Sequence, residues 1–394
     1  MLKRSLYHTI LPHLRHKNAI VITGMRQVGK TTLMKQLADA WQGKQLWFDF
    51  DNPLDLLTFE NINYDAIYRD LQRKARTNDD ERLLVCIDEI QNYPEITKII
   101  KYLIDHFKIK FIVTGSSNYY LRNLFPESLS GRKFLFVLHP LNYREYLYFH
   151  GKLPENELQP SHDDFFADHS PASSMRRAEL YDEFMEFGGF PEVAVTADQQ
   201  TKKLILRNIF SSFFEKDIKV FSELKDVREL RDLILLLGPR NGNILDITRI
   251  ASELGVNRVK IYNYLEFLEG TFFLRLLPRY TKSIDRSVAG GKKVYFSDTG
   301  LLNLVNRTNP GQLLETTVAN QLQYYGETSF YNKRNTAEID FILNGEIALE
   351  VKQKAIEPDI RKLKRIAGSI GLSRYYIVSK TLVKEKQVVY PWYL

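Results

Sequence analysis

One cysteine in 394 residues excludes an intramolecular disulfide, and that residue, Cys86, stands inside an apolar run. Nothing therefore asks for an oxidising compartment, and a reducing cytoplasm is the expected location. Long hydrophobic runs are missing too. No segment approaches the roughly 20 apolar residues of a membrane helix, so no membrane is expected among the partners. The first residues, Met1-Leu2-Lys3-Arg4-Ser5-Leu6-Tyr7-His8, carry charge but neither an apolar core nor a small-residue cleavage site, so no signal peptide is visible. Internal repeats and low-complexity tracts are also lacking. A hydrophobic fraction of 44% with 26% charged residues is that of an ordinary globular chain. Its length exceeds what one core needs, so two or three domains are expected.

An excess of one charge is absent over most of the chain. The net charge of +7 falls after residue 278: from Arg279 onward, 18 Lys and Arg face 11 Asp and Glu. A basic C-terminal third suits contact with nucleic acid, and equally a solvated surface.

The N-terminal part alternates strands and helices. Ala19 to Thr23, Leu46 to Phe50, Leu83 to Ile87, Lys110 to Val113 and Lys133 to Leu138 are short, largely apolar runs. They read as strands of a parallel sheet covered by helices. A stretch rich in Pro, Asp, His and Ser, Lys152 to Ser174, reads as a linker or exposed loop. Helical periodicity follows from Met175 to Leu237, and β-rich runs return after Leu313 to Tyr325. The expected division is an ATPase-like core over residues 1–150, a linker and helical region over 151–237, a winged helix over 238–280 and a further domain over 281–394.

Gly24-Met25-Arg26-Gln27-Val28-Gly29-Lys30-Thr31 matches the phosphate-loop pattern in its proper setting, an apolar strand before it and a helical segment after it. Glycines let the backbone curl so that its N–H groups and the helix N-terminus face phosphate oxygens. Lys30 is expected on the β- and γ-phosphates and the Thr31 hydroxyl on Mg²⁺, with Thr32 alongside. ATP with Mg²⁺ is the expected ligand. Leu83 to Ile87 ends in Asp88-Glu89, where Asp88 would hold Mg²⁺ or its waters and Glu89 would polarise the attacking water as general base. At the next strand end, Thr114-Gly115-Ser116-Ser117, Ser116 could sense the γ-phosphate, or the segment could simply be a turn. Ser130-Gly131-Arg132 offers a cation for transition-state charge, in cis or across the interface of a homo-oligomer.

These segments, with Ile87-Asp88-Glu89-Ile90-Gln91, Leu141-Asn142-Tyr143-Arg144-Glu145-Tyr146, Gly188-Gly189-Phe190-Pro191 and Phe296-Ser297-Asp298-Thr299-Gly300-Leu301, resemble the AAA-type P-loop ATPases of the DUF4143 family, which have an AAA_14-like core. The resemblance covers nearly the whole chain. It implies ATP binding on an AAA-like α/β core and leaves the substrate undefined.

Two further patterns stand downstream. Ile247 to Leu254 is an amphipathic helix ended by Gly255, and Asn257 can cap a second helix, Arg258 to Leu268. This is helix–turn–helix spacing, with Thr271 to Leu276 as a wing. Arg258, Lys260, Tyr262 and Asn263 are what a recognition helix would offer DNA. The competing reading is a packing module. Asp340 and Glu350-Val351-Lys352 then lie on successive β-runs joined by Asn344-Gly345. Period-two geometry puts Glu350 and Lys352 on one face, and Glu315 could add a third carboxylate. Carboxylates holding Mg²⁺ beside a water-activating lysine hydrolyse phosphodiesters. The pattern and element order resemble the PD-(D/E)xK nuclease fold, although Ile339 replaces the proline usual before the aspartate. The sequence thus predicts an ATPase whose nucleotide state controls engagement with DNA, with Mg²⁺-dependent cleavage by Asp340, Glu350 and Lys352. The alternative is a non-nucleolytic, ATP-dependent switch whose C-terminal domain binds a partner protein.

Overall fold

A computed structural model describes residues 2–78, 81–115, 131–217, 224–281, 291–333 and 336–394. The chain divides into two compact units: Met1–His139 with Gly270–Phe272, and Pro140–Glu269 with Phe273–Leu394. No described helix is long and apolar enough to cross a membrane.

The first unit is built on five parallel strands, β1 (Ala19–Thr23), β2 (Gln45–Asp49), β3 (Leu83–Asp88), β4 (Ile109–Gly115) and β5 (Lys133–Val137). Their order is β2-β3-β4-β1-β5. Every residue of β1, β3 and β4 is buried, as continuous apolar runs require of strands covered on both faces. The partly exposed strands β2 and β5 form the edges. Helices Tyr64–Ala75 and Ile96–His106 cover one face through Ile67, Leu71, Ile100 and Leu103, which meet Val21, Val85, Ile87 and Val113. The order inserts β4 between β1 and β3, so the ends of the phosphate-loop strand and the Asp88 strand flank the end of β4. All three open on the same edge, where open α/β sheets bind ligands.

The second unit begins with helices. Asn142 and Glu145 form a reciprocal capping box that starts the helix Tyr143–Phe149. The stretch 152–174 is not the expected linker. Ser161 caps the helix His162–Phe166 and Ser170 caps Pro171–Ala178, while Leu153, Leu158 and Phe165 are buried. Residues that look like breakers in the sequence are here capping residues, and the sparse apolar ones anchor the segment.

The unit's larger sheet holds β8 (Thr328–Lys333), β9 (Ala337–Leu343), β10 (Ile347–Lys352), β11 (Arg374–Ser379) and β12 (Val388–Val389). Strands β8, β9 and β10 are antiparallel neighbours, and β11 and β12 add in parallel. The helix Glu357–Ser369 makes the crossover that a parallel β10–β11 pair needs. The β9–β10 turn holds the expected Asn344-Gly345, both at positive φ (53° and 71°), with Glu346 as the third residue between the paired Leu343 and Ile347. The C-terminal region is thus α+β, and the N-terminal one an α/β parallel-sheet P-loop core.

Gly188-Gly189 and Asp298-Thr299-Gly300 interlock within this unit. The Asp298 carboxylate caps the helix Thr299–Val305 and accepts the Gly189 N–H at 2.8 Å. A Cβ at Gly188 would sit 2.2 Å from that carboxylate, and one at Gly300 would sit 2.3 Å from the Phe187 carbonyl. Close packing accounts for these glycines.

Candidate functional site

The phosphate loop leaves β1 through Gly24 at φ 147°, where a Cβ would lie 2.0 Å from the Leu138 carbonyl oxygen. Gln27 (φ 63°) and Gly29 (φ 95°) also adopt positive φ, which turns successive N–H groups toward one concavity. Nothing lies within 4 Å of a Cβ built at Gly29. As the residue preceding the helix Lys30–Asp39, Gly29 has no side chain with which to cap it. The first turn thus has no side-chain cap, the setting in which helix N-termini bind anions. Met25 and Val28 are buried and offer the loop their backbone, whereas Thr32 is exposed. Lys30 is buried, and its Nζ donates to the carbonyls of Gly24 (3.0 Å) and Met25 (2.7 Å). Reaching a bound phosphate requires it to leave them.

Asp88 stands at the end of β3, where the β3–β4 register brings it beside Thr114. The Thr31 hydroxyl donates to Asp88 Oδ2 at 2.6 Å, and the Thr114 hydroxyl donates to Oδ1. The Glu89 N–H also reaches Oδ1, at 3.2 Å. Thr31 and Asp88 are thus already paired as two arms that could share a cation with phosphate oxygens. Glu89 sits in left-handed backbone (φ 55°, ψ 46°), a conformation a non-glycine residue adopts at a cost of ~1 kcal/mol or more and which concentrates at working sites. Its carboxylate is held by Gln91 Nε2 and lies 3.9 Å from Arg26 of the loop. Next door, burial and the nearby Asp88 charge push the Cys86 thiol up to about 12, so it remains protonated and inert.

Sequence reasoning missed two residues of this site. Thr114 was passed over for Ser116, which lies outside the described residues. Arg4 was not singled out, yet its buried guanidinium donates to the carbonyls of Val28 (2.9 Å) and His139 (2.8 Å), bracing the loop from behind. Arg132 is not at the loop. It precedes β5, whose Lys133 pairs with Ala19 at the start of β1, so the length of a strand, ~16 Å, separates it from the phosphate-loop edge. There it pairs with Asp105 at 3.0 Å. The position rules out action on the phosphates of its own chain.

In the second unit, Gly255 (φ 66°) closes the helix Ile247–Leu254 and Asn257 caps Arg258–Gly270 through the Lys260 N–H. β6 (Leu274–Leu277) pairs antiparallel with β7 (Lys293–Phe296). Arg258, Tyr262 and Asn263 are exposed. Lys260 is not presented outward as expected: its Nζ lies 2.6 Å from Asp226 and 2.5 Å from Glu229. These carboxylates hold its ammonium well above the usual lysine range.

On the α+β sheet, Asp340 and Glu350 face each other across β9 and β10, one step beyond the Phe341–Leu349 pair. Asp340 Oδ2 accepts the Val351 N–H at 2.9 Å, and Lys352 Nζ donates to Glu350 Oε1 at 2.9 Å. The helix Pro310–Leu322 brings Glu315 to the same group. The cluster is centred on a residue the sequence did not mark, Lys293. Only 4% exposed, its Nζ is 2.8 Å from Glu338, 3.7 Å from Glu315 and 4.0 Å from Asp340. Tyr295 adds a hydroxyl to Glu315 at 2.7 Å. Burial raises Glu315 and Glu350 to about 7 and also lifts Asp340. It would depress Lys293, but Glu315, Asp340 and Glu338 outweigh it and keep the ammonium above its ordinary value. Among the described residues, no group of three or more His, Cys, Asp or Glu side chains is arranged to hold a metal ion. At the Asp340–Glu350 pair expected to hold Mg²⁺, the Lys293 ammonium stands 4.0 Å from Asp340.

Comparison with known proteins agrees with the first unit and redefines part of the second. Residues 16–147 match the family model of an AAA domain. Residues 178–312 match a domain of unknown function, DUF8612, where the DUF4143 resemblance had been expected to extend. The chain is 29% identical over 376 residues to an uncharacterised protein of Methanocaldococcus jannaschii, covering 89% of this chain and 79% of that one. It is 28% identical over 359 residues to an uncharacterised protein of Haemophilus influenzae, covering 86% and 84%. Among solved structures, a Walker-type ATPase of Pyrococcus abyssi aligns with a TM-score of 0.50 at 13% identity, over 77% of this chain and 96% of that one. The chain therefore carries an AAA-type P-loop ATPase fold.

Proposed function

We propose that the protein binds ATP with Mg²⁺ at Gly24–Thr31 and hydrolyses it. The observation that carries this reading is the convergence of the loop, Thr31, Asp88, Glu89 and Thr114 on the ends of three neighbouring strands. The residues fit the ligand: an uncapped helix start, open space at Gly29, a buried lysine and a threonine–aspartate pair. Lys30 would transfer from the Gly24 and Met25 carbonyls to the β- and γ-phosphates. Thr31 and Asp88 would hold Mg²⁺, which when bound neutralises phosphate charge. Glu89, freed from Gln91 and Arg26, would take the proton of the attacking water. Arg132, at the far end of the sheet, suits the site of a neighbouring copy. Lys30→Ala tests the reading. A fluorescent ATP analogue should lose at least about a hundredfold in affinity, and unchanged affinity would sink it.

For the second unit we favour the non-nucleolytic switch, a cytoplasmic protein whose C-terminal domain engages a partner protein according to nucleotide state. The helix order and the β6–β7 pair support a winged-helix reading, and the helix, three strands, helix and strand around Asp340 support a restriction-endonuclease-like one, as the DUF4143 resemblance implies. Two observations favour binding over cleavage: Lys293 occupies the carboxylate cluster, and Lys260 is spent on Asp226 and Glu229. Mg²⁺-dependent DNA cleavage that vanishes in Asp340→Ala would overturn this choice. Salt-sensitive DNA binding without cleavage would restore DNA as the partner.

A further inference from the structure

The acidic cluster gathers four carboxylates, Glu315, Glu338, Asp340 and Glu350, with two lysines, Lys293 and Lys352. The two lysines hold different ground. Among the described residues, Lys352, 36% exposed at its side chain, bonds to Glu350 on its own strand, whereas Lys293 is 4% exposed and reaches three carboxylates on two elements. Glu315 comes from the preceding helix, and Glu338 and Asp340 from one face of β9. Four buried or half-buried acids in so small a volume need protons or a cation, because each desolvated charge raises the cost of the next, and Lys293 supplies the cation to three of them.

We propose that Lys293 is the resident cation of this cluster, standing where a nuclease-like domain would hold its divalent ion, so that the folded chain keeps this site free of metal. The inference rests on the restriction-endonuclease-like reading of the second unit. The donor set agrees with it. Glu315 Oε1 takes the Tyr295 hydroxyl and faces Lys293, Asp340 Oδ2 takes the Val351 N–H, and Glu350 Oε1 takes Lys352. Among the described residues, Glu350 Oε2 is the carboxylate oxygen of this group that is buried with no hydrogen-bond partner. The oxygens of Glu338, Glu315 and Asp340 that face Lys293 are already opposed by its ammonium, which a divalent ion would have to displace. Removing the ammonium would release Glu338 and the facing oxygens of Glu315 and Asp340 together, leaving Glu350 as the acid of the group that is bonded to a lysine.

The test uses the full chain without nucleotide and Mn²⁺ as the probe, read by electron paramagnetic resonance and by thermal unfolding. Wild type should unfold at the same temperature in Mn²⁺ and in EDTA, with no Mn²⁺ signal that depends on Asp340. Lys293→Met should unfold earlier in EDTA and recover in Mn²⁺. It should also gain about 10- to 100-fold in Mn²⁺ affinity, the range by which neighbours of a metal site tune binding. Asp340→Asn added to that variant should abolish the gain, which separates it from ions at Thr31 and Asp88. If Lys293→Met fails to fold, Lys293→Arg should fold and stay indifferent to Mn²⁺. Asp340-dependent Mn²⁺ binding by wild type would overturn the proposal, as would a Lys293→Met protein of unchanged stability and unchanged affinity. DNA cleavage by wild type that needs Asp340 would instead overturn the non-nucleolytic reading on which it rests.

Discussion

Asp88 and Asp340 are both largely buried aspartates on a sheet, and both accept hydrogen bonds from neutral groups, but their charges are met in different ways. Around Asp88 the donors are neutral: the hydroxyls of Thr31 and Thr114 and the Glu89 N–H. They fix the carboxylate's direction and leave its charge to be met by a cation arriving with a ligand. Around Asp340 the charge is met from inside the chain, by Lys293 among Glu315 and Glu338. The first arrangement is incomplete by design of its donor set, and the second is closed. A row of acids in a sequence thus indicates that a cation is needed, and the donors around it decide whether the chain supplies that cation itself.

The largest effect that would sharpen this contrast lies beside Asp88. Glu89→Gln keeps the shape of the side chain and removes the base, so ATP turnover should fall about 10²- to 10³-fold while nucleotide affinity stays within a few-fold. Single-turnover hydrolysis measures the first and analogue titration the second. Normal turnover would show that the strained Glu89 is not the base. A smaller effect is expected from Thr114→Val, which is nearly isosteric but takes one neutral donor from Asp88. Losing a hydrogen bond to a charged group costs roughly 1.5–3 kcal/mol, so Mg²⁺-dependent turnover should drop about tenfold or somewhat more. Nucleotide binding in EDTA should not change. If both fell together, Thr114 would be holding the loop rather than orienting the cation's carboxylate.

The contrast also separates what could be read in the sequence from what could not. The phosphate loop was readable because its chemistry is local: eight consecutive residues between a strand and a helix carry the whole pattern. Asp88 and Glu89 followed because a buried strand has to end somewhere, and acids at that end are conspicuous. That Thr114 meets Asp88 was not readable, since which polar residue at a strand's end does so depends on the β3–β4 pairing; Ser116 lies outside the described residues. The place of Arg132 was not readable either, because nothing local says at which end of a parallel sheet a residue emerges. Asp340, Glu350 and their turn were readable from period two and from Asn344-Gly345. Lys293 was not. Beside Lys292 it looks like a surface charge, and only the packing of β7 against β9 and the helix Pro310–Leu322 turns it inward. Lys260 carried the same ambiguity, expected to face outward but held by Asp226 and Glu229.

The smallest expected effect discriminates most finely, because it asks whether the closed cluster depends on one cation or on its hydrogen bonds at large. Tyr295→Phe removes the hydroxyl that Glu315 accepts at 2.7 Å and leaves Lys293 in place. The ring stays, so the packing of this fully buried side chain is retained. A lost hydrogen bond to a buried carboxylate should then cost about 1–2 kcal/mol, a few degrees at most in the unfolding midpoint of a unit this large. Mn²⁺ should not restore it, since the ammonium still fills the space. Lys293→Met removes a charge with three partners and should cost more, and its loss should be reversible by Mn²⁺. If the two variants cost the same and neither responds to Mn²⁺, the cluster is held by many small contacts and Lys293 has no special standing. If only Lys293→Met responds, the chain has replaced a metal with a side chain at the place where its fold would have put one.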